Sequence, residues 1–131
     1  MDLNYIDDDE MLYRCIRKSD PNVFRDGKPL PGLFFDKKGA SVSRDGGREE
    51  REILQQLSKK VLKDHKSDWG GCVKIKAKDC RRVETYLAPI GNKKDIFHAE
   101  IHESKEEVII SLKKAILLCR YCQVLEASMD E

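Results

Sequence analysis

REEREILQQLSKKVLKDHKSDWGGCVKIKAK, residues Arg48 to Lys78, decides the fold class, because its hydrophobic period changes partway along. From Arg48 to Lys63 the residues Ile53, Leu54, Leu57, Val61 and Leu62 recur at helical spacing and form one apolar stripe. Glu49, Glu50 and Glu52 stand at the positive N-terminal end of that helix, and Lys59, Lys60 and Lys63 stand at its negative C-terminal end. Trp69-Gly70-Gly71 interrupts the pattern. Cys72 to Lys78 then alternates strictly, with Val73, Ile75 and Ala77 inward and Lys74, Lys76 and Lys78 outward. A one-sided helix followed by a one-sided strand predicts a mixed α+β fold.

Upstream, Met11 to Arg17 (MLYRCIR) reads as a first strand. The next stretch, SDPNVFRDGKPLPG, holds Pro21, Pro29 and Pro31 and reads as a long connecting loop. Leu33 to Arg44 (LFFDKKGASVSR) reads as a hairpin of two short strands around Lys37-Lys38-Gly39. Residues 2–10, which contain Asp2, Asp7, Asp8, Asp9 and Glu10, read as an acidic, flexible leader.

Downstream, Tyr86 to Asn92 reads as an edge or turn. Ile96 to Glu103 (IFHAEIHE) alternates again, with Phe97, Ala99 and Ile101 inward and His98, Glu100 and His102 outward. Ser104-Lys-Glu-Glu107 fits a capping box, which predicts a second helix starting there. Its stripe would contain Val108, Leu112, Ala115, Ile116, Cys119 and Cys122, widened by Ile109, Leu117 and Leu118.

These elements predict a small mixed or antiparallel sheet with two main helices packed on one face. The domain would span residues 11–126, between the leader at 1–10 and a short polar tail at 127–131. Its core would contain Leu54, Leu57, Val61, Val73, Ile75, Phe97, Ile101, Leu112 and Ile116.

The chain has 131 residues, enough for one core. Lys plus Arg number 25 against 24 Asp plus Glu, so attraction for a polyanion or an anionic membrane must come from a local patch. No apolar run is long enough to span a membrane, and the acidic start does not fit a secretory signal, so a cytoplasmic protein is expected. The cysteines (Cys15, Cys72, Cys80, Cys119, Cys122) are odd in number and irregularly spaced, which fits reduced thiols better than a disulfide framework. Cys119-Arg-Tyr-Cys122 lies in an apolar helical run without the further ligands a tetrahedral zinc site needs, so it reads as buried thiols.

Two constellations carry chemistry. His98, Glu100 and His102 put two imidazoles and a carboxylate on one strand face. That pattern suits a polar catalytic site, a polar outer face or a divalent-metal site, although same-face strand residues about 7 Å apart rarely converge on one ion. No metal ligand is assigned. The second constellation is the window from Lys59 to Arg82, where nine Lys or Arg face three Asp for a local balance of +6. Lys74, Lys76, Lys78, Arg81 and Arg82 within it could hold the phosphates of a ligand or nucleic acid, meet a protein partner, or form a solvated face. The sequence has no HExxH, phosphate-binding Walker loop, Gly-x-Ser-x-Gly or dinucleotide fingerprint.

Leu12-Tyr13-Arg14 on a first strand, Ser41-Val42-Ser43 on a middle strand and His98-Ala99-Glu100 on a late strand resemble the Arg, Ser-x-Ser and x-x-Glu motifs of mono-ADP-ribosyltransferase-like folds. The resemblance implies NAD as cofactor, with Arg14 on its phosphates and Ser41 or Ser43 at the nicotinamide ribose. Glu100 would orient the nucleophile and stabilise an oxocarbenium-like transition state, and His98 stands where that pattern usually has Glu or Gln. The functional expectation is a small accessory or binding module recognising a partner protein, a second copy of itself, or a phosphorylated or nucleic-acid ligand. The alternative is an ADP-ribosyltransferase-like enzyme acting on NAD. Candidate catalytic residues are Arg14, Ser43, His98, Glu100 and His102.

Overall fold

The computed structural model describes residues 1–64 and 68–125, so the expected polar tail lies outside the described residues. The first strand, β1 (Met11–Arg17), is followed by a small hairpin of β2 (Phe24–Arg25) and β3 (Lys28–Pro29) and a 3-10 turn at Pro31–Phe34. Then come β4 (Ala40–Arg44), α1 (Glu50–Asp64), β5 (Trp69–Lys76), α2 (Ala77–Arg82), β6 (Tyr86–Ala88), β7 (His98–His102), α3 (Leu112–Tyr121) and β8 (Gln123–Leu125). The fold is α+β. Its main sheet has the order β6-β7-β4-β1-β5-β8, and every neighbouring pair is antiparallel. No helix among the described residues is long and apolar enough to cross a membrane.

Register fixes which side chains share a face, because directly opposed residues of antiparallel strands project to the same side. Leu12 faces Ile75, and Arg14 faces Val73. With Ala40, Val42, Ala99, Ile101 and Leu87 they line the side that receives Ala115 and Leu118 of α3, together with Leu33 and Phe34. Tyr13 and Cys72 lie on the other side and pack against Ile53, Leu54 and Val61 of α1. The expected single face for both helices therefore becomes one helix on each face. Strands β1 and β5 bury both surfaces at the centre of the sheet, so each surface needs its own cover.

Four local readings change. Leu33 and Phe34 are buried in a 3-10 turn opened by Pro31, so only the second strand of the expected 33–44 hairpin forms. The alternation of β5 stops at Lys76, and Ala77, Lys78, Arg81 and Arg82 belong to α2. The capping-box sequence makes a free-standing turn in which Ser104 Oγ accepts from the N–H groups of Glu106 and Glu107. The helix begins instead at Ser111, whose Oγ accepts from Lys114 N–H at 3.4 Å, while the Glu103 carboxylate accepts from Ser111 N–H at 2.8 Å. Leu112 and Ile116, expected in the core, are consequently exposed, and Phe97 is half-buried beneath the Arg48 guanidinium.

The acidic leader is docked onto the domain. Ile6 is buried in the α3-side core, and Glu10 makes a two-point ion pair with Arg44, a side chain only 1% exposed. Arg81 lies over the Tyr5 ring and pairs with Asp8. Leader carboxylates thus neutralise cations that the sheet and α2 would otherwise bury or crowd.

Candidate functional site

The sheet is open between β1 and β4. Their pairing is confined to Leu12 with Arg44 and Tyr13 with Ser43, although β1 continues to Arg17 and β4 begins at Ala40. The Arg14 side chain occupies the place where further ladder bonds would run. Its Nη1 donates to the Ser41 carbonyl at 2.8 Å and its Nε to the Leu33 carbonyl at 2.6 Å. A side chain standing in for backbone donors satisfies the β4 carbonyl while holding the strands apart.

A cleft of about 410 Å³ occupies this opening, within the size range of small-molecule sites. Arg14, Asp36, Ser43, Lys60, Asp95 and His98 contribute its main polar groups. Leu57 and Val61 of α1 supply apolar wall on one side, and the turn after β3 supplies Gly32, Leu33 and Phe35 on the other. Arg14 is 16% exposed, and its Nη2 has no hydrogen-bond acceptor among the described residues; the Asp36 carboxylate stands 4.0 Å away. Burial pulls the guanidinium pKa down and Asp36 opposes that shift, but an arginine remains a cation throughout. Burial also pushes the Cys15 thiol, in the same cleft, up to about 11.

His98 faces Ser43 across the β4–β7 ladder, and Glu100 faces Ser41. The three outward side chains of β7 interact in a row: His102 Nε2 lies 2.7 Å from one Glu100 oxygen, and His98 Nε2 lies 3.8 Å from the other. Gly39 backs onto this pair. A Cβ there would come within 2.5 Å of Glu100 Oε1 and 2.8 Å of His102 Nε2, so only a glycine leaves them space. Ser43, His98, Glu100 and His102 therefore share one face. Arg14 projects toward the opposite face and β4 separates its strand from β7, so Arg14 and Glu100 do not meet. Arg14, Ser43 and His98 line the cleft, with Glu100 and His102 behind His98.

The basic window does not make one surface. Lys74 Nζ donates to Glu50 Oε1 at 2.6 Å, Arg81 is held by Asp8 and the Ile6 carbonyl, and Arg82 lies 3.5 Å from Asp79. Lys76 and Lys78 are exposed without an ion partner among the described residues, but they sit on different elements. The cleft's own Lys60, Asp36 and Asp95 were missed as site residues. Lys60 was legible in part, since it falls between Leu57 and Val61 on the α1 stripe and so had to point at whatever that stripe covers. Nothing in the sequence places Asp36 or Asp95 there, because both lie in loops whose course depends on the fold.

Among the described residues no group of three or more His, Cys, Asp or Glu side chains is arranged to hold a metal ion. No family model, curated protein or solved structure matches this chain.

Proposed function

We propose that the protein is a binding module whose cleft between β1 and β4 takes a small phosphorylated ligand of the nucleotide class. The observation that carries this reading is Arg14: two backbone carbonyls fix its guanidinium, and its Nη2, 4.0 Å from the Asp36 carboxylate, has no hydrogen-bond acceptor among the described residues. The same cleft also contains Lys60, 3.9 Å from Asp95, and Arg17, 3.2 Å from Asp68. A preset guanidinium recognises an oxyanion in two-point fashion with little further loss of side-chain freedom. Asp36, Asp95 and Ser43 supply acceptors in the same cleft, which suits a ligand carrying hydroxyl or amine donors beside its phosphate. A bare polyanion would meet these carboxylates unfavourably, and the scattered positions of Lys74, Lys76, Lys78, Arg81 and Arg82 offer it no alternative track.

Titration calorimetry and thermal denaturation with inorganic phosphate, AMP, ADP, NAD and an oligonucleotide test this reading. A mononucleotide or dinucleotide should bind saturably and raise Tm, with a gain of about 2.7 kcal/mol at a hundredfold excess over Kd. Lys60→Glu, at an exposed position, should abolish the binding without loss of fold. Absence of binding by every phosphate-bearing compound at millimolar concentration would overturn the proposal.

A second reading follows from the strand order. The strands carrying Arg14, Ser41-Val42-Ser43 and His98-Ala99-Glu100 are consecutive in the sheet, and Ser41 stands directly opposite Glu100. The Ser41–Glu100 apposition supports an ADP-ribosyltransferase-like enzyme using NAD, in which Glu100 stabilises the cationic ribose as nicotinamide leaves, although Arg14 projects toward the opposite face and does not join that pair. Release of nicotinamide from NAD that disappears in Glu100→Ala would favour this reading over simple binding.

A further inference from the structure

The sheet divides the five cysteines between its two faces. Cys80 is buried in the α3-side core, with Cys119 and Cys122 packed against it. Cys72 is fully buried on the α1 side, and Cys15 packs against the same cluster. Cys15 also lines the cleft between β1 and β4, so one thiol of this second group is reached from outside.

Cys15 and Cys72 are directly opposed on β1 and β5. Flanking backbone bonds fix the kind of pair they make. The Glu10 carbonyl accepts from Ala77 N–H, on the β5 side, whereas the Met11 carbonyl accepts from Asp45 N–H, on the β4 side. Backbone groups alternate in direction along a strand, and the register runs unbroken from Met11 to Cys15. Cys15 therefore turns its backbone groups toward β4, as Met11 does, and Cys15–Cys72 is a non-hydrogen-bonded pair. Such pairs hold their Cα atoms about 4.5 Å apart with both side chains on one side, inside the span of about 4.4–6.8 Å that a disulfide bridges.

We propose that Cys15 and Cys72 are a redox-active thiol pair that exchanges with a small disulfide entering through the cleft. The Cys15 thiolate attacks one sulfur of the small disulfide, forming a mixed disulfide, and the departing thiolate takes up the proton that Cys15 lost. Cys72, deprotonated in turn, attacks Cys15 Sγ; the second small thiol leaves with that proton and the Cys15–Cys72 bond closes. The two protein thiols are oxidised by two electrons, and the small disulfide is reduced to two thiols. Burial pushes both protein thiols upward, so neither is stabilised as a thiolate. Thiolate stabilisation is what makes a disulfide easy to reduce, so this bond should persist once formed.

The test is to incubate the folded wild-type chain with oxidised glutathione, alkylate it after denaturation, and read the intact mass and peptide map. The expected product has lost two hydrogens, carries a Cys15–Cys72 linked peptide, and has Cys80, Cys119 and Cys122 alkylated. Cys72→Ser should stop at one glutathione adduct on Cys15, because nothing resolves it. Cys15→Ser should stay unmodified, because Cys72 is out of reach. The wild-type map decides the matter even if Cys72→Ser fails to fold. An unmodified wild-type chain, an adduct that persists on its Cys15, or a bond joining other cysteines or two chains would each overturn the proposal.

Discussion

Helices α1 and α3 cover opposite faces of one sheet, but they use their apolar residues differently. In α1, Ile53, Leu54 and Val61 are buried and the exposed side is charged, so the helix is finished once it meets Tyr13, Trp69 and Cys72. In α3, Ala115 and Leu118 meet the core while Leu112 and Ile116 face outward. The difference lies in the polar side of the stripe. Gln55, Gln56 and Lys59 tell α1 which way to turn, whereas the run Ala115-Ile116-Leu117-Leu118-Cys119 puts apolar residues all round α3. Sequence periodicity then cannot say which side the core takes, and burial goes to the side with room.

The sharpest test of this contrast is a matched pair of substitutions. Ile53→Asp buries a carboxylate with no partner and should cost at least about 4 kcal/mol, enough to remove the cooperative melting transition. Leu112→Asp, at an exposed position, should change stability by no more than about 0.5 kcal/mol. Equal losses in the two variants would show that α3 is buried on both sides within one chain.

How legible such features were depended on whether local pattern or tertiary context decided them. Strand β1, helix α1 and strand β7 were readable because alternation or stripe, flanking charge and turn residues agreed. The start of α3 was not: Ser104-Lys-Glu-Glu107 satisfies its own donors as an isolated turn, and the Glu103 carboxylate on Ser111 sets the true start. The 33–44 hairpin was misread because Leu33 and Phe34 look like strand residues until Pro31 turns them into the core. For the site, the sequence put His98, Glu100 and His102 on one strand face but left the place of Ser43 to the β4–β7 register. It could not show that Arg14 faces the other way, because facing across three strands depends on two registers that no local pattern encodes.

The leader offers a second comparison, between a buried ion pair and the exposed ones. Arg44 is inside the domain and its charge is met by Glu10 through two hydrogen bonds of 2.6 and 2.8 Å. Glu10→Ala would strand that cation, at a cost of about 3 kcal/mol. The same pair predicts a pH effect. Burial alone would raise the Glu10 pKa, but the Arg44 hydrogen bond, the Asp7 N–H and nearby positive charge outweigh it and hold the carboxyl below its ordinary 4.5. A folded-state pKa lower than the unfolded one contributes stability that is complete above pH 4.5 and is lost as pH falls through the folded value. Tm should therefore drop on acidification below that point, and Glu10→Gln should make the drop shallower.

Gly39→Ala compares the two ends of β4 at a smaller scale. The φ of +102° and the proximity of Glu100 and His102 both oppose a side chain there, so a loss of about 1–3 kcal/mol is expected. Imidazole proton resonances of His102 should shift with it, since the intruding methyl displaces the Glu100 carboxylate. A stable variant with unshifted histidine signals would show that the Glu100–His102 pair has slack.

The smallest effect separates Lys74 from the cleft cations. Lys74 and Tyr13 both donate to the same Glu50 oxygen, at 2.6 and 3.0 Å, and so tie the N-terminal turn of α1 to the sheet. Glu50 is partly exposed, and the lysine and phenol together hold its carboxyl below the usual range against the opposing effect of burial. Partly solvated pairs of this kind contribute about 0.2–1 kcal/mol. Lys74→Gln should thus lower Tm slightly at low salt and less at high salt, because added ions screen the attraction the variant has already lost. Ligand affinity should not change, since the ammonium group is committed to Glu50 and does not line the cleft. Lys60→Glu should give the reverse pattern, with affinity lost and stability kept. If Lys74→Gln instead weakens nucleotide binding as strongly as Lys60→Glu, the phosphate lies over the outer face of β5 and the cleft between β1 and β4 is not the site.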